Sequence, residues 1–477
     1  MRAEVLRRWP TGGEVDLEEA AGYLRSLPPG KSMALKVREA KERGECLSQP
    51  RGGFPLLEDM IRLHQTLERQ GDPQVLLPVN TDSYTRAERF AEVAQALEVC
   101  RREKRSVLNG YPTVNHGVGN NRRLQESTSR PVYALGGNPL PGLTAEISIA
   151  SGFTGFLGSG VCVPMGYSKY VSIEQCIRNY QYVDYLTGLY GERGVSLYRE
   201  TAGFLTWVLV PPGIEIVLNT IDALLAAEQG VRVYGLGHGS QIHFLQDTAA
   251  LQAMREVAAD YLARAGHGDV EIFTSLIAFG GTYPENPAMA YATTALVGAS
   301  AGLAGAQGVS VKTVDEAKSV PTAENNALAS RATRQALAAI GKNRYPRTPE
   351  LALEVDLLKK EARSVIDRVL EMGDGDIARG AVLAFAHGIL DCPWSPNMGV
   401  KGKVLGARDH AGMIRYLDPG LLPIPPEVLD YHRQELGKRA AAENRPLNYE
   451  LVLEDLLRVA QGKDLTTRDV RGESCRP

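Results

Sequence analysis

No C-x-x-C pair occurs in this sequence. Its six cysteines, Cys46, Cys100, Cys162, Cys176, Cys392 and Cys475, stand singly along 477 residues. That spacing argues against a cysteine zinc cage or a redox dithiol and leaves reduced, mostly buried thiols. An excess of positive charge is also missing: Lys+Arg 53 against Asp+Glu 56 gives a net charge of -3. Without a basic field, neither nucleic acid nor an anionic membrane is expected as a partner. The opening residues, MRAEVLRRWPTGGEVDLEEA, hold no apolar signal core, and no apolar run is long enough to span a bilayer. A cytoplasmic chain is the expectation. G-x-G-x-x-G and a glycine loop ending in G-K-[ST] are absent as well. The glycine-dense stretch GFTGFLGSGV, residues 152–161, therefore reads as tight turning at a strand end, not as a phosphate cradle. No metal ligands are assigned. His238 and His243 in HGSQIH stand five apart with no carboxylate triad beside them, and with His116 they read as turn histidines.

What is present describes a soluble globular chain, 44% hydrophobic and 23% charged, and too long for one small core. From about residue 75 to 315, short β-rich runs alternate with longer helical patterns. VLLPVNTD, SVLNGYP, PVYALGG, GFTGFLG, VSLYRET, RVYGLGHGS, VEIFTSL and GVSVKT are the runs, eight in all. Apolar residues at helical spacing fill the gaps, as in IDALLAAEQG, which closes on Gly230. Such alternation predicts a parallel sheet with crossover helices, and eight strands predict a closed (β/α)8 barrel of the TIM type. Three parts follow: a helical lead-in over 1–50, the barrel over 51–345, and a helical and irregular extension over 346–477. In a barrel, polar residues at strand C-terminal ends share one mouth. Asn80, Asp82, Asn109, Glu200, His238 and Lys312 are expected there.

Lys312 ends the last run in VSVKT, and Glu316 follows four residues later. Burial could lower the pKa of such a lysine for Schiff-base chemistry, or its ammonium could hold a ligand. A solvated Lys–Glu pair at a helix start reads the same pattern equally well. Arg51 in SQPRGGFP and Arg86 in NTDSYTR lie in turn-rich settings near the first predicted strand. The guanidinium fork suits bidentate carboxylate binding, although surface arginines are far commoner.

The ordered segments QPRGG, YTR, SVLNGYPTVNHG, YGERGVSLYRE, LVPP, ALLAAEQGV, VSVKT and VPT carry a resemblance over nearly the whole chain. They resemble the large (epsilon) subunit of adenosylcobalamin-dependent glutamate mutase, the methylaspartate mutase family. The resemblance implies an isomerase: a barrel sheltering a radical 1,2-rearrangement of a carboxylic acid. It implies adenosylcobalamin shared with a small, Rossmann-like (sigma-type) subunit whose D-x-H-x-x-G motif supplies the cobalt-ligating histidine. A homodimer of the large chain within a heterotetramer goes with it. The nearest match here, DYHRQE at Asp430 and His432, lacks the glycine, so a second protein is expected to bring the cobalamin.

By the same resemblance, Lys312, Glu316 and Asn109 match cofactor-binding positions. Arg51 and Arg86 match two of three substrate arginines, and Tyr167 in MGYSKY matches a substrate tyrosine. The chain departs from the family elsewhere. Leu135 stands for the third arginine, and Leu157 for the carboxylate that holds the substrate ammonium. Val163 replaces a tyrosine, and Ala202 a phenylalanine near the adenosyl group. Glu200 or Glu146 is a candidate to supply the missing carboxylate. The expected substrate is thus less polar than glutamate. Two rival readings are a cobalamin-free Schiff-base barrel using Lys312, and a non-catalytic paralogue acting as a binding subunit.

Overall fold

The computed structural model describes residues 1–201, 207–315 and 318–466. Eight parallel strands form one sheet: β1 Leu47–Pro50, β2 Leu77–Asn80, β3 Val132–Leu135, β4 Gly155–Leu157, β5 Tyr198–Glu200, β6 Val233–Gly239, β7 Glu271–Ile277 and β8 Gly308–Val311. Strand β1 pairs with β8 along its length. It also meets the approach to β2, where Leu76 donates to the Ser48 carbonyl at 2.9 Å. The sheet is therefore closed, as a (β/α)8 barrel requires.

Helices that follow the strands are labelled α1 (Leu57–Gln70), α2 (Thr113–Glu126), α3 (Gly142–Ala150), α4 (Ile173–Glu192), α5 (Pro212–Glu228), α6 (Phe244–Arg264), α7 (Pro287–Ala304) and α8 (Ala323–Ile340). Side-chain caps start several of them. Ser172 accepts from Gln175 N–H at α4, and Thr322 from Asn325 N–H at α8. Helix α5 is buried on every side from Pro212 to Ala227, because the C-terminal extension covers its outer face. That extension contributes α9 (Pro349–Met372), α10 (Ile377–His387), the antiparallel pair β9 (Leu405–Arg408) and β10 (Ile414–Asp418), α11 (Pro426–Glu443) and α12 (Tyr449–Gln461). Leu358, Ala362 and Ile366 of α9 join Ile214, Ile221 and Leu225 of α5 in one core. At the N-terminal end of the barrel, the lead-in helix Met33–Arg43 inserts Met33, Val37 and Ala40 beneath the interior residues Leu47, Tyr133, Tyr198 and Phe273.

The predicted strand SVLNGYP is corrected. Residues 106–112 form a loop laid across the tip of β2, making one isolated bridge, Thr81 to Tyr111. The strand that completes the eight is Leu47–Pro50. It is four residues long, carries Ser48 and Gln49, and ends in proline, so no β-rich pattern marks it. Among the described residues no helix is long and apolar enough to cross a membrane.

Candidate active site at the barrel mouth

Alternation along each strand decides which side chains enter the barrel. Leu77 and Val79 of β2 pack outward on the helices, so Asn80 faces in. Val132, Ala134 and Phe156 likewise pack outward. Tyr133, Leu135 and Leu157 turn inward and share an interior cluster with Tyr198, Val233 and Phe273. On β5, Arg199 points outward to Asp184 at 2.8 Å, which sends Tyr198 and Glu200 inward.

Glu200 is fully buried. Its Oε2 accepts from Tyr198 at 2.7 Å, Gln49 at 3.0 Å and Ser275 at 3.3 Å, while Oε1 has no partner among the described residues. Burial lifts its carboxyl above the ordinary range, against the pull of those donors and of the Arg51 charge. Arg51 follows β1 and also acts on the buried Tyr133 hydroxyl; its Nη1 is unpartnered among the described residues. Gln49 Oε1 and Asn80 Oδ1 are likewise buried without partners among the described residues. Such orphaned polar atoms are costly unless something fills them.

Arg86 lies beside β2, with Nε donating to the Thr81 carbonyl at 2.9 Å and the guanidinium 5.5 Å from the Tyr167 ring. Asn109 is exposed and accepts from Ser83 N–H at 2.9 Å, which ties the loop over the β2 tip. Lys312 follows β8 and is buried, with Nζ 5.8 Å from both the Trp207 and Tyr283 rings. Val163 is buried in the short helix Cys162–Tyr167. Glu316 and Ala202 lie outside the described residues.

Two strand-end expectations and one helical candidate change. His238 faces away from the mouth because Gly235, Gly237 and Gly239 take the inner positions of β6. It sits between Glu215 of α5 at 2.6 Å and Asp247 of α6 at 3.4 Å. Asp82 caps the turn that follows it, accepting from Tyr84 and Thr85 N–H. Glu146 cannot replace the missing carboxylate, for it pairs on α3 with Arg2 at 2.9 Å and with the Tyr182 hydroxyl. Glu200 remains. The other histidines are structural: His116 bonds the Pro55 carbonyl, and His243 caps α6. His432 is buried against Glu361 at 3.2 Å. In the extension, Asp409, His410 and Glu435 bring ligand atoms within 4.8 Å of one another. There Arg415 and two backbone N–H groups hold Asp409, and Lys438 holds Glu435, so the charge is already balanced.

Trp207 and Tyr283 were not anticipated from the sequence. For Trp207 the one signal is Gly239 at the end of β6 and Gly280 just beyond β7, where a Cβ would meet its ring; Tyr283 has none.

Residues 27–468 match the family model for the methylaspartate mutase E chain. The chain belongs to the methylaspartate mutase E-chain family. It is 41% identical to the glutamate mutase epsilon subunit of Desulfitobacterium hafniense over 461 residues, covering 97% of this chain and 95% of that one. The Treponema denticola epsilon subunit gives 41% over 462 residues with the same coverage. That of Halobacterium salinarum gives 38% over 455 residues, 95% of this chain and 94% of the other. Within an E-chain family defined over this whole length, the inward-facing Leu135 and Leu157 become the residues of most interest.

Proposed function

We propose that this chain is the large subunit of a carbon-skeleton mutase that uses adenosylcobalamin delivered by a small cobalamin-binding subunit, and that its acid is less polar than glutamate. The observation that carries the reading is the set of buried atoms on inward-facing strand ends that have no partner among the described residues: Arg51 Nη1, Asn80 Oδ1, Gln49 Oε1 and Glu200 Oε1. They call for a small polar ligand at the C-terminal end of the barrel, where Arg86, Tyr167 and Lys312 also gather.

By the resemblance, Lys312, Glu316 and Asn109 would hold the adenosyl group; of these, Lys312 follows β8 and Asn109 lies in the loop over the β2 tip, both at the C-terminal end of the barrel. When bound, adenosylcobalamin supplies a carbon-centred radical able to take hydrogen from an unactivated carbon. Everything else falls to this chain. Arg51 and Arg86 would grip one carboxylate and fix the substrate's direction. Tyr167, stacked by Arg86, would form one wall. The plug of Met33, Tyr133, Tyr198 and Phe273 closes the far end and keeps water from the reacting carbon. Rate would come from placement, since holding two reacting carbons in near-contact removes most of the orientational cost.

Leu135 and Leu157 offer neither a positive nor a negative charge. A charged substrate group left without its buried partner costs on the order of 2–5 kcal/mol. An acid with an alkyl group in place of the ammonium avoids that loss.

The test is reconstitution with a cobalamin-loaded small subunit, adding acids in turn while following the cob(II)alamin radical signal. A signal that depends on acid and on both subunits is expected. No association with the small subunit, and no signal with any acid, would favour a non-catalytic paralogue. Borohydride trapping of substrate on Lys312 without cobalamin would favour a Schiff-base enzyme.

A further inference from the structure

We propose that Trp207 is a positioning residue: its indole forms the wall that fixes Lys312 at the barrel mouth, and the C-terminal extension locks that wall in place. The inference rests on the mouth being the site proposed above. Trp207 is 4% exposed, and its ring lies against Gly239 at the end of β6 and Gly280 just beyond β7. A Cβ on Gly239 would come within 2.1 Å of its ring, and one on Gly280 within 2.6 Å. Two strand ends have thus been cleared for one side chain. Its Nε1 donates to the Ala278 carbonyl at 3.1 Å, which sets the ring's rotation. Lys312 Nζ stands 5.8 Å from this ring and 5.8 Å from Tyr283, within the range where an ammonium is attracted to an aromatic face.

The backbone carrying Trp207 is pinned from outside the barrel. Gln241 Nε2 donates to the Trp207 carbonyl at 2.7 Å, and its Oε1 accepts from Leu209 N–H at 3.1 Å. Trp394 of the extension donates to the Val208 carbonyl at 3.1 Å, and Arg408 of β9 donates to the Gln241 carbonyl at 2.9 Å. Three bulky residues at this junction are left-handed: Leu209 at φ 57°, Ile242 at φ 58° and Trp394 at φ 64°. Side chains of this size avoid that region unless surrounding contacts force it, and such strain gathers where a geometry matters. A tryptophan serving only as filler needs none of these restraints.

Acylation of the full-length chain with N-acetoxysuccinimide, read lysine by lysine by mass spectrometry, tests the inference without the cofactor. Lys31, buried at the other end of the barrel, is the internal control. Trp207→Leu should raise Lys312 acylation roughly tenfold over wild type, and Trp207→Phe, which keeps an aromatic face, should stay within about twofold. Gly280→Ala, which keeps the indole but puts a methyl beneath it, carries the same expectation as Trp207→Leu should that variant not fold. Lys31 should not change in the folded variants. Unaltered Lys312 acylation in Gly280→Ala, or a Trp207→Phe rate matching that of a folded Trp207→Leu, would overturn the proposal. Absence of any cobalamin-dependent signal in the wild-type complex would remove the mutase reading and leave this result standing.

Discussion

Leu135 and Leu157 are adjacent in the sheet, paired across β3 and β4, and both turn inward. Placing Arg at 135 and Glu at 157 together puts opposite charges side by side, each able to compensate the other when no ligand is bound. The double variant L135R/L157E is expected to gain glutamate turnover, by tens-fold if about 2 kcal/mol of the missing binding returns. The kcat/KM for glutamate in the reconstituted complex checks this, with circular dichroism to confirm the fold. No gain in a folded variant would mean that the two leucines do not touch the substrate. At this scale, the strand-end positions of Glu200 and Lys312 were legible because each closes a β-rich run; Arg51 was singled out by its turn-rich setting, without the strand it follows. Trp207 was not, since a tryptophan between strands carries no pattern until two distant glycines are brought beneath it. His238 was misplaced because strand parity, unlike strand position, depends on where the first residue of β6 falls.

Between elements, one buried electrostatic commitment is the clamp of His238 between α5 and α6. Burial alone would pull its imidazole down, but Glu215 and Asp247 outweigh that and raise it to about 9. Asp247 is held below the usual carboxylate range: burial opposes this, and His238 with its hydrogen bonds prevails. An imidazole raised above its ordinary value near 6.5 contributes stability that is complete below that pH and lost as pH climbs through 9. Urea midpoints should therefore fall between pH 6.5 and 9.5, by at most about 3 kcal/mol in stability from this group. His238→Gln should be less stable at pH 6.5 and show a flatter slope; an unchanged slope would mean that the ring is neutral in the fold. The helices themselves were easily read from their periodicity. Strand β1 escaped because four residues ending in proline carry too little β signal, and SVLNGYP passed for a strand because local composition cannot reveal that its partner is a single residue.

Over the molecule as a whole, the closed sheet gathers residues from positions 49 to 312 at one end, and the plug from the lead-in seals the other. The extension then grips the loops after β5 and β6 from outside, a long-range arrangement that no local pattern could disclose. The eightfold alternation made the barrel itself legible; the direction of each side chain at its mouth required the register. The most direct measurement is hydrogen isotope exchange between acid and the 5′-deoxyadenosyl group in the reconstituted complex, comparing glutamate with glutarate and pentanoate at matched concentration. Exchange with an acid lacking the ammonium should exceed that with glutamate by about thirtyfold or more. Equal or faster exchange with glutamate would contradict it, showing that the apolar wall of Leu135 and Leu157 does not select the substrate.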